Sequence, residues 1–127
     1  MSTKRINNIK KNILKVSYSA KDGHVASSFS IIDILFILYD QVMNLTLDNL
    51  NNEDRDFMVL SKGHASLAHA SILEEKGFIT NKQLMSFCSH NSILGGHLSS
   101  KKVPGVEAST GSLGHGISIS IGIALAS

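Results

Sequence analysis

Four histidines of this chain each follow a glycine, and three of these pairs lie outside the glycine-rich segment described next, at Gly23-His24, Gly63-His64 and Gly96-His97. A glycine before a histidine leaves room for a ligand to reach the imidazole ring. Imidazole can donate hydrogen bonds to phosphate or hydroxyl oxygens, and it can move protons near neutral pH. The three pairs therefore indicate a site for a polar or phosphorylated ligand.

A glycine-rich segment, EASTGSLGHG at residues 107–116, precedes an apolar stretch and is a second candidate for ligand contact. Its glycines, at positions 111, 114 and 116, permit positive φ angles and the close approach of a ligand. If a helix begins here, its free N–H groups and its positive dipole end favour an anion, above all a phosphate.

Other chemistry for these residue types is less well supported. Zinc-binding helices favour histidines at i and i+4, whereas His64 and His69 are five residues apart and no acidic residue has a helpful spacing. We therefore predict no metal ligand in this chain. A single cysteine, Cys88, forms no internal disulfide and no C-x-x-C site, so a reducing cytoplasm is the default compartment.

The composition fits one globular domain or part of a larger one, with 43% hydrophobic residues, 17% charged residues and a net charge of +2 over 127 residues. Basic residues are concentrated in the first fifteen positions, as they are in a nucleic-acid-binding arm or an organelle presequence. We favour a packed helix, because apolar residues recur there at helical spacing and leave the lysines solvated. These apolar residues are Ile6, Ile9, Ile13 and Val16. The longest apolar stretches are shorter than the roughly 20 residues that span a bilayer, so we expect no membrane partner. Because the basic residues are explained by a packed helix, we expect no nucleic-acid partner either.

Helices joined by polar loops are predicted along the first half of the chain. The first covers residues 4–19. Ser30-Ile-Ile-Asp33 has the form of a capping box and predicts a second helix at residues 30–43, buried because it is apolar nearly all round. An exposed loop is predicted at residues 44–56.

The apolar run FMVL at residues 57–60 predicts a buried strand of a parallel sheet. Helices are predicted at residues 65–76 and, from the Thr80-x-x-Gln83 capping pattern, at residues 80–89. We therefore expect an α/β fold with helices packed on a parallel sheet.

The apolar tail, residues 117–126, allows two interpretations. Large and small residues alternate with period two, which is typical of a strand. At spacing four, however, a stripe of small residues lies on one helix face; its members are Gly114, Ser118, Gly122 and Ala126. We favour a buried helix, and we expect residues that follow this sequence to cover its apolar surface.

Together these motifs resemble the N-terminal part of transketolase, of the split bacterial type in which this portion is a separate subunit. The matching stretches occur in the family's order over nearly the whole chain. They are KDGH at 21–24, DRDFMVLSKGHA at 54–65, EKGFI at 75–79, GH at 96–97 and PGVEASTGSLGHG at 104–116. SKGHA combined with TGSLG is highly specific, unlike a lone glycine-rich loop.

The resemblance implies a thiamine diphosphate-dependent transferase in which His24, His64 and His97 line the site as catalytic groups. The positions that match the family's cofactor contacts are His64, Gly111, Ser112, Leu113 and Gly114. The implied reaction moves a two-carbon ketol unit from a ketose to an aldose, so the substrates are expected to be sugar phosphates or related ketoses and aldoses. Residues 1–127 would form the N-terminal portion of the diphosphate-binding domain, an α/β thiamine diphosphate-binding fold that is incomplete in this chain.

The remaining implications concern what this sequence lacks. The Gly-Asp-Gly motif and the downstream Asn that hold Mg²⁺ in the family are expected after the end of the sequence, and the pyrimidine domain is expected on a separate partner chain. The implied assembly is a dimer or heterotetramer in the cytoplasm. The isolated chain is expected to be inactive and to bind the cofactor weakly.

Some positions depart from the family's pattern. Val25 and Leu98 stand where proline is usual, and His115 stands where glutamine is usual. Leu98 and Ser99 fall near the expected substrate channel, which favours a second hypothesis, a transketolase-like enzyme acting on an unusual sugar. A non-catalytic assembly fragment is the third hypothesis.

Overall fold

The computed structural model describes residues 2–127 and contains six α-helices, one π-helical turn and one 3₁₀ turn in that range. The α-helices are α1 (Ser2–Ala20), α2 (Val25–Phe29), α3 (Ile32–Ile37), α4 (Ser66–Glu75), α5 (Asn81–Met85) and α6 (His115–Ala126). The π-helical turn, Leu38–Val42, continues α3, and the 3₁₀ turn, Gly63–Ala65, leads into α4.

Helix α4 is the centre of the fold. Its residues from Ser66 to Leu73 are all buried, and it contacts α1, α2, α3 and α5. A helix enclosed on every side needs no amphipathic pattern, which fits the small and apolar residues that make up all of Ser66–Leu73 except His69.

Helix α1 confirms the predicted amphipathic N-terminal helix. Ile9, Ile13 and Val16 are at most 2% exposed and pack into the core, while Lys11 and Lys15 face the solvent. These two lysines are therefore part of the solvated face of a packed helix, whereas Arg5 and Lys10 on the same helix pair with acidic side chains.

The predicted second helix is confirmed as helical and corrected in three respects. It is slightly shorter and not α-helical throughout, because α3 and the π-helical turn that continues it together cover residues 32–42. No capping box forms, since the Ser30 hydroxyl donates to the Ser27 carbonyl at 2.8 Å and Asp33 pairs instead with Lys10 at 2.9 Å. The helix is not buried all round either, because Ile34 is 60% exposed.

The predicted parallel sheet is absent from residues 2–127, which contain no strand. A strand exists only through backbone hydrogen bonds to a neighbouring strand. Residues 57–60 make no backbone-to-backbone hydrogen bond to another segment; instead, the Leu60 carbonyl accepts a hydrogen bond from the Thr110 hydroxyl at 2.6 Å. The expectation of helices packed on a sheet is therefore not met in the described residues.

The capping box at the start of α5 is confirmed. The Thr80 hydroxyl accepts from the Gln83 N–H, and the Gln83 side chain accepts from the Thr80 N–H. The helix ends at Met85 rather than near residue 89, and turns follow up to Cys88, which has a left-handed φ of 57°.

The apolar tail forms helix α6, so the helical interpretation is confirmed and the strand is excluded. Within residues 2–127 its apolar surface is exposed, since Gly116 is its only buried residue and Ile117 and Leu125 are 66% and 83% exposed, so burial of this helix by further residues stays a prediction. No helix in residues 2–127 combines the length and the apolar character needed to cross a bilayer.

Candidate active site

The first glycine–histidine pair forms a strained turn that packs on α4. Gly23 has a φ of +121°, and a Cβ on it would lie 2.6 Å from Leu67 Cδ2. His24 follows in the left-handed region, with φ 43°, as the residue that precedes α2. Glycine at position 23 therefore serves backbone conformation and packing, and the exposed His24 ring is what it presents to the solvent.

The second pair lies in the 3₁₀ turn before α4. A Cβ on Gly63 would lie 2.8 Å from the backbone of Thr110, so glycine here allows the glycine-rich segment to cross directly over the turn. His64 comes next and is half-buried. The close approach that the sequence suggested for a ligand is occupied here by the chain itself.

The three histidines come together in one region. The ring centroids of His24 and His64 are 5.4 Å apart, and the rings meet edge-on at 73°. The exposed His97 ring lies beside Gly111, whose ideal Cβ position is 3.7 Å from His97 Cδ2. Gly96 is close to Asp22, with 3.9 Å between its ideal Cβ position and Asp22 Oδ2, which brings the first and third loops together.

The electrostatic environment of His64 disfavours its protonated form. Partial desolvation lowers the pKa of His64, and the neighbouring His24, Lys62 and His97 lower it further because each disfavours another positive charge. A neutral imidazole can both accept and donate a hydrogen bond, so His64 is suited to moving a proton near neutral pH.

Lys62 connects two of the histidine segments. Its ammonium group donates to the Ser30 hydroxyl at 2.8 Å and to the Ser27 carbonyl at 3.3 Å, at the end of the α2 region. Lys62 therefore ties the turn that carries His64 to the helix that follows His24. No local sequence pattern indicates this link, because the bonded residues are more than 30 positions apart.

The glycine-rich segment is anchored at both ends. Arg55 Nη1 and Nη2 donate to the two carboxylate oxygens of Glu107 at 2.6 and 3.1 Å, and both side chains are at most 12% exposed. At the other end, the Gly116 N–H donates to Ser61 Oγ at 3.2 Å, and a Cβ on Gly116 would lie 2.5 Å from Ser61 Cβ. The exposed centre of the segment consists of Gly111, Ser112, Leu113 and Gly114.

The predicted freedom of the three glycines is only partly confirmed. Gly114 has a φ of +90° and starts α6 without a side-chain cap, whereas Gly111 and Gly116 do not have positive φ. Gly116 is required by its contact with Ser61, which sequence periodicity could not reveal. The exposed surface around Gly111 and Gly114 is the part of the segment that a ligand can reach.

Several other expectations are corrected by burial. Leu98 is 6% exposed and belongs to the core, so its side chain is not part of an open substrate channel. Cys88 is exposed, and partial desolvation together with Asp22 raises the pKa of its thiol, which makes it less reactive. Ser99 is half-buried and His115 is exposed at the start of α6.

His69 is buried. It is 2% exposed and its Nε2 lies 2.9 Å from the hydroxyl of Tyr39, which is also buried. Local sequence patterns do not indicate this pair, because its members are 30 residues apart. Among residues 2–127, no three His, Cys, Asp or Glu side chains are grouped as metal ligands.

The comparison with known families agrees with this arrangement. Residues 1–127 match the family described as transketolase, thiamine diphosphate binding domain. The chain belongs to this transketolase family. The histidine region and the glycine-rich segment therefore lie in a domain whose family binds thiamine diphosphate.

Three similar proteins show the extent of the likeness. The protein named Ferredoxin fas2 of Rhodococcoides fascians is 40% identical over 104 residues, which are 82% of this chain and 34% of that protein. An apulose-4-phosphate transketolase subunit of Phocaeicola vulgatus is 38% identical over 117 residues, which are 92% of this chain and 41% of that protein. The solved transketolase of Leishmania mexicana superposes with a TM-score of 0.87 at 29% identity and covers 97% of this chain and 18% of that one. The chain thus spans less than half the length of the relatives that it matches.

Proposed function

We propose that this chain is the N-terminal part of a transketolase that transfers a two-carbon ketol unit from a ketose to an aldose. The grouping of His24, His64 and His97 beside the exposed centre of the glycine-rich segment carries the proposal. In a chain of this family, three imidazoles that can reach a ligand provide donors for sugar hydroxyls and groups for proton transfer.

The residues present fit a diphosphate cofactor. The glycine-rich segment offers exposed backbone at Gly111, Ser112, Leu113 and Gly114, and α6 begins directly after it, so a negative group there is favoured by the helix dipole. When bound, thiamine diphosphate supplies a nucleophilic carbon and an electron sink for cleavage next to a carbonyl. The chain's own part is to bind, orient and protonate.

The three histidines have different proposed roles. His64, half-buried and with a lowered pKa, is proposed to contact the cofactor and to accept or return a proton as the neutral imidazole. His24 and His97 are more exposed and are proposed to donate hydrogen bonds to substrate hydroxyls. Lys62 is proposed to hold the His24 and His64 segments at their separation rather than to bind phosphate.

Further components of the enzyme are part of the same proposal. Mg²⁺ would be held by a segment of the diphosphate-binding domain that follows residues 1–127, and the parallel sheet would be completed by that segment too. A partner subunit with the pyrimidine domain would complete the site in a dimer or heterotetramer. We place this assembly in the cytoplasm.

An unusual sugar substrate is the second candidate. It is supported by the likeness to a transketolase named for apulose-4-phosphate, and by His115, which is exposed at the start of α6 next to the glycine-rich segment. Leu98 gives it no support, because that side chain is in the core.

Reconstitution of the assembled enzyme tests the proposal. This chain, with any sequence encoded in frame after Ser127 and with its pyrimidine-domain partner, is assayed for ketol transfer from a panel of ketose donors with thiamine diphosphate and Mg²⁺. We expect cofactor-dependent transfer, and the preferred donor distinguishes an ordinary pentose phosphate from an unusual sugar. An assembly that forms and binds the cofactor but transfers nothing would instead identify a non-catalytic piece.

A further inference from the structure

A buried polar pair lies behind the candidate site. Tyr39 and His69 are 3% and 2% exposed, and the Tyr39 hydroxyl is 2.9 Å from His69 Nε2. Burial lowers the pKa of His69 to about 4 and raises that of Tyr39, so both groups are neutral near neutral pH. This contact occupies only one of the two nitrogens of the imidazole ring.

The Ser66 hydroxyl is a second polar group beside His69, since both side chains line the same space. Ser66, three residues earlier on α4, is 1% exposed, and its hydroxyl is the buried side-chain polar atom without a partner in the described part of the chain. Buried polar groups in proteins are almost always hydrogen-bonded, to protein or to ordered water. The Ser66 hydroxyl thus lacks a hydrogen-bond partner, and His69 lies about one turn further along α4.

Both side chains line one small cavity. Its volume is about 10 Å³, close to the least that holds a single water molecule. Its other walls include Gly63, Leu98 and Thr110. A cavity of this size with polar groups in its wall is suited to water, whereas an apolar cavity would stay dry.

We propose that this cavity binds one ordered water molecule between Ser66 and His69, and that these two side chains are positioning residues for the cofactor-facing segments. The link to function rests on the proposed function. Gly63 directly precedes His64, and Thr110 directly precedes Gly111, so the cavity lies beneath the junction where these two segments cross. A water molecule bound there lies against both segments, on the side that faces the core.

Two serine-to-alanine variants test the water site, because the direction in which each changes the melting temperature depends on whether its hydroxyl is hydrogen-bonded. Ser66→Ala removes a hydroxyl that has no protein partner, and Ser71→Ala is the matched control, because Ser71 is equally buried on the same helix and donates to the Leu67 carbonyl at 2.7 Å. If water satisfies Ser66, both variants lose a hydrogen bond and both lower the melting temperature. A Ser66→Ala variant that melts above the unsubstituted chain would overturn the proposal, because removing an unsatisfied buried hydroxyl stabilises a protein.

Direct observation provides the second arm. A high-resolution crystal structure of the 127-residue chain, or of the assembled enzyme, should show a water molecule within about 3.2 Å of both Ser66 Oγ and His69 Nδ1. Electron density with no water at that position, or a Ser66 hydroxyl that turns to a backbone carbonyl instead, would sink the idea.

The positioning role has its own readout. In NMR spectra of the chain, Ser66→Ala should shift the imidazole resonances of His64, and Ser71→Ala should leave them in place. In the assembled enzyme, Ser66→Ala should raise the KM for thiamine diphosphate by up to about tenfold with little change in kcat, as expected for the loss of one hydrogen bond. Unchanged His64 resonances and an unchanged KM would overturn the positioning role. If the unsubstituted assembly shows no activity, the proposed function fails, while the crystal and NMR measurements still decide the water site.

Discussion

His69 and His64 are five residues apart, on α4 and on the turn that leads into it, yet their surroundings are opposite. His64 is half-buried in the open histidine region, whereas His69 is enclosed by the core and bonded to Tyr39. Burial alone lowers the pKa of His69 to about 4, whereas that of His64 is lowered by partial desolvation together with the neighbouring His24, Lys62 and His97. The comparison shows that exposure, and not residue type or sequence spacing, separates a candidate proton-transfer group from a structural one.

We expect the largest effect from a substitution of His64, the histidine of the pair that lies in the open region. His64→Ala in the assembled enzyme should lower kcat by about 10²- to 10⁴-fold, because a positioned general acid or base contributes that much. His90→Ala, at an exposed histidine in the turns after α5, is the control and should retain activity in the same ketol-transfer assay. Equal activities of the two variants would show that the open histidine has no catalytic part.

The buried histidine should instead control stability against acid. The folded-state pKa of His69, about 4, is below its unfolded value of about 6.5, so the unfolded chain binds more protons between these limits. Stability is therefore full above about pH 6.5 and falls by about 3 kcal/mol as the pH drops to about 4. The double variant Tyr39→Phe and His69→Leu should flatten this part of the profile in denaturant titrations from pH 7 to pH 4.

A second histidine variant serves as the control for the pH dependence of stability. His90→Gln removes an exposed histidine and should retain the slope of the unsubstituted chain. If the double variant also retained that slope, protonation of His69 would not be the source of the acid sensitivity.

Two glycines of α6 also differ in their surroundings, because Gly116 packs against Ser61 and Gly122 faces open space. Gly116→Ala would place a Cβ 2.5 Å from Ser61 Cβ and should destabilise the chain by about 1–3 kcal/mol. Gly122→Ala has no atom within 4 Å of the new Cβ and should stabilise the helix by up to about 1 kcal/mol, through helix propensity. Thermal unfolding of both variants measures the difference, and destabilisation of similar size in both would contradict the Gly116–Ser61 contact.

The smallest effect is expected from the cation beside His64. Lys62→Met should raise the pKa of His64, because one of the positive charges that disfavour its protonation is removed. NMR titration of the His64 ring gives the shift, and Lys101→Met, whose charge does not act on His64, is the control. A His64 pKa that stays constant or decreases in Lys62→Met would remove Lys62 from the electrostatics of the site.

Much of the local structure could be predicted because it depends on neighbours in sequence. The periodicity of α1, the capping box of Thr80 and Gln83, and the helical nature of α6 are all confirmed. The capping box at Ser30 failed, because the Ser27 carbonyl and Lys10 offered competing partners that a local pattern does not include. The predicted strand at residues 57–60 failed because a strand requires a second chain segment beside it, and residues 2–127 provide none.

The sequence by itself determined the transketolase family of this chain and the order of its glycine–histidine motifs, since these are fixed by residue identity and spacing. Only the tertiary structure decided that Gly23, Gly63 and Gly116 serve close packing and that Leu98 and His69 face the core. It also decided that Lys62 links two of the histidine segments. These outcomes depend on contacts between residues far apart in the chain, and burial and hydrogen-bond partners are fixed only when those residues meet.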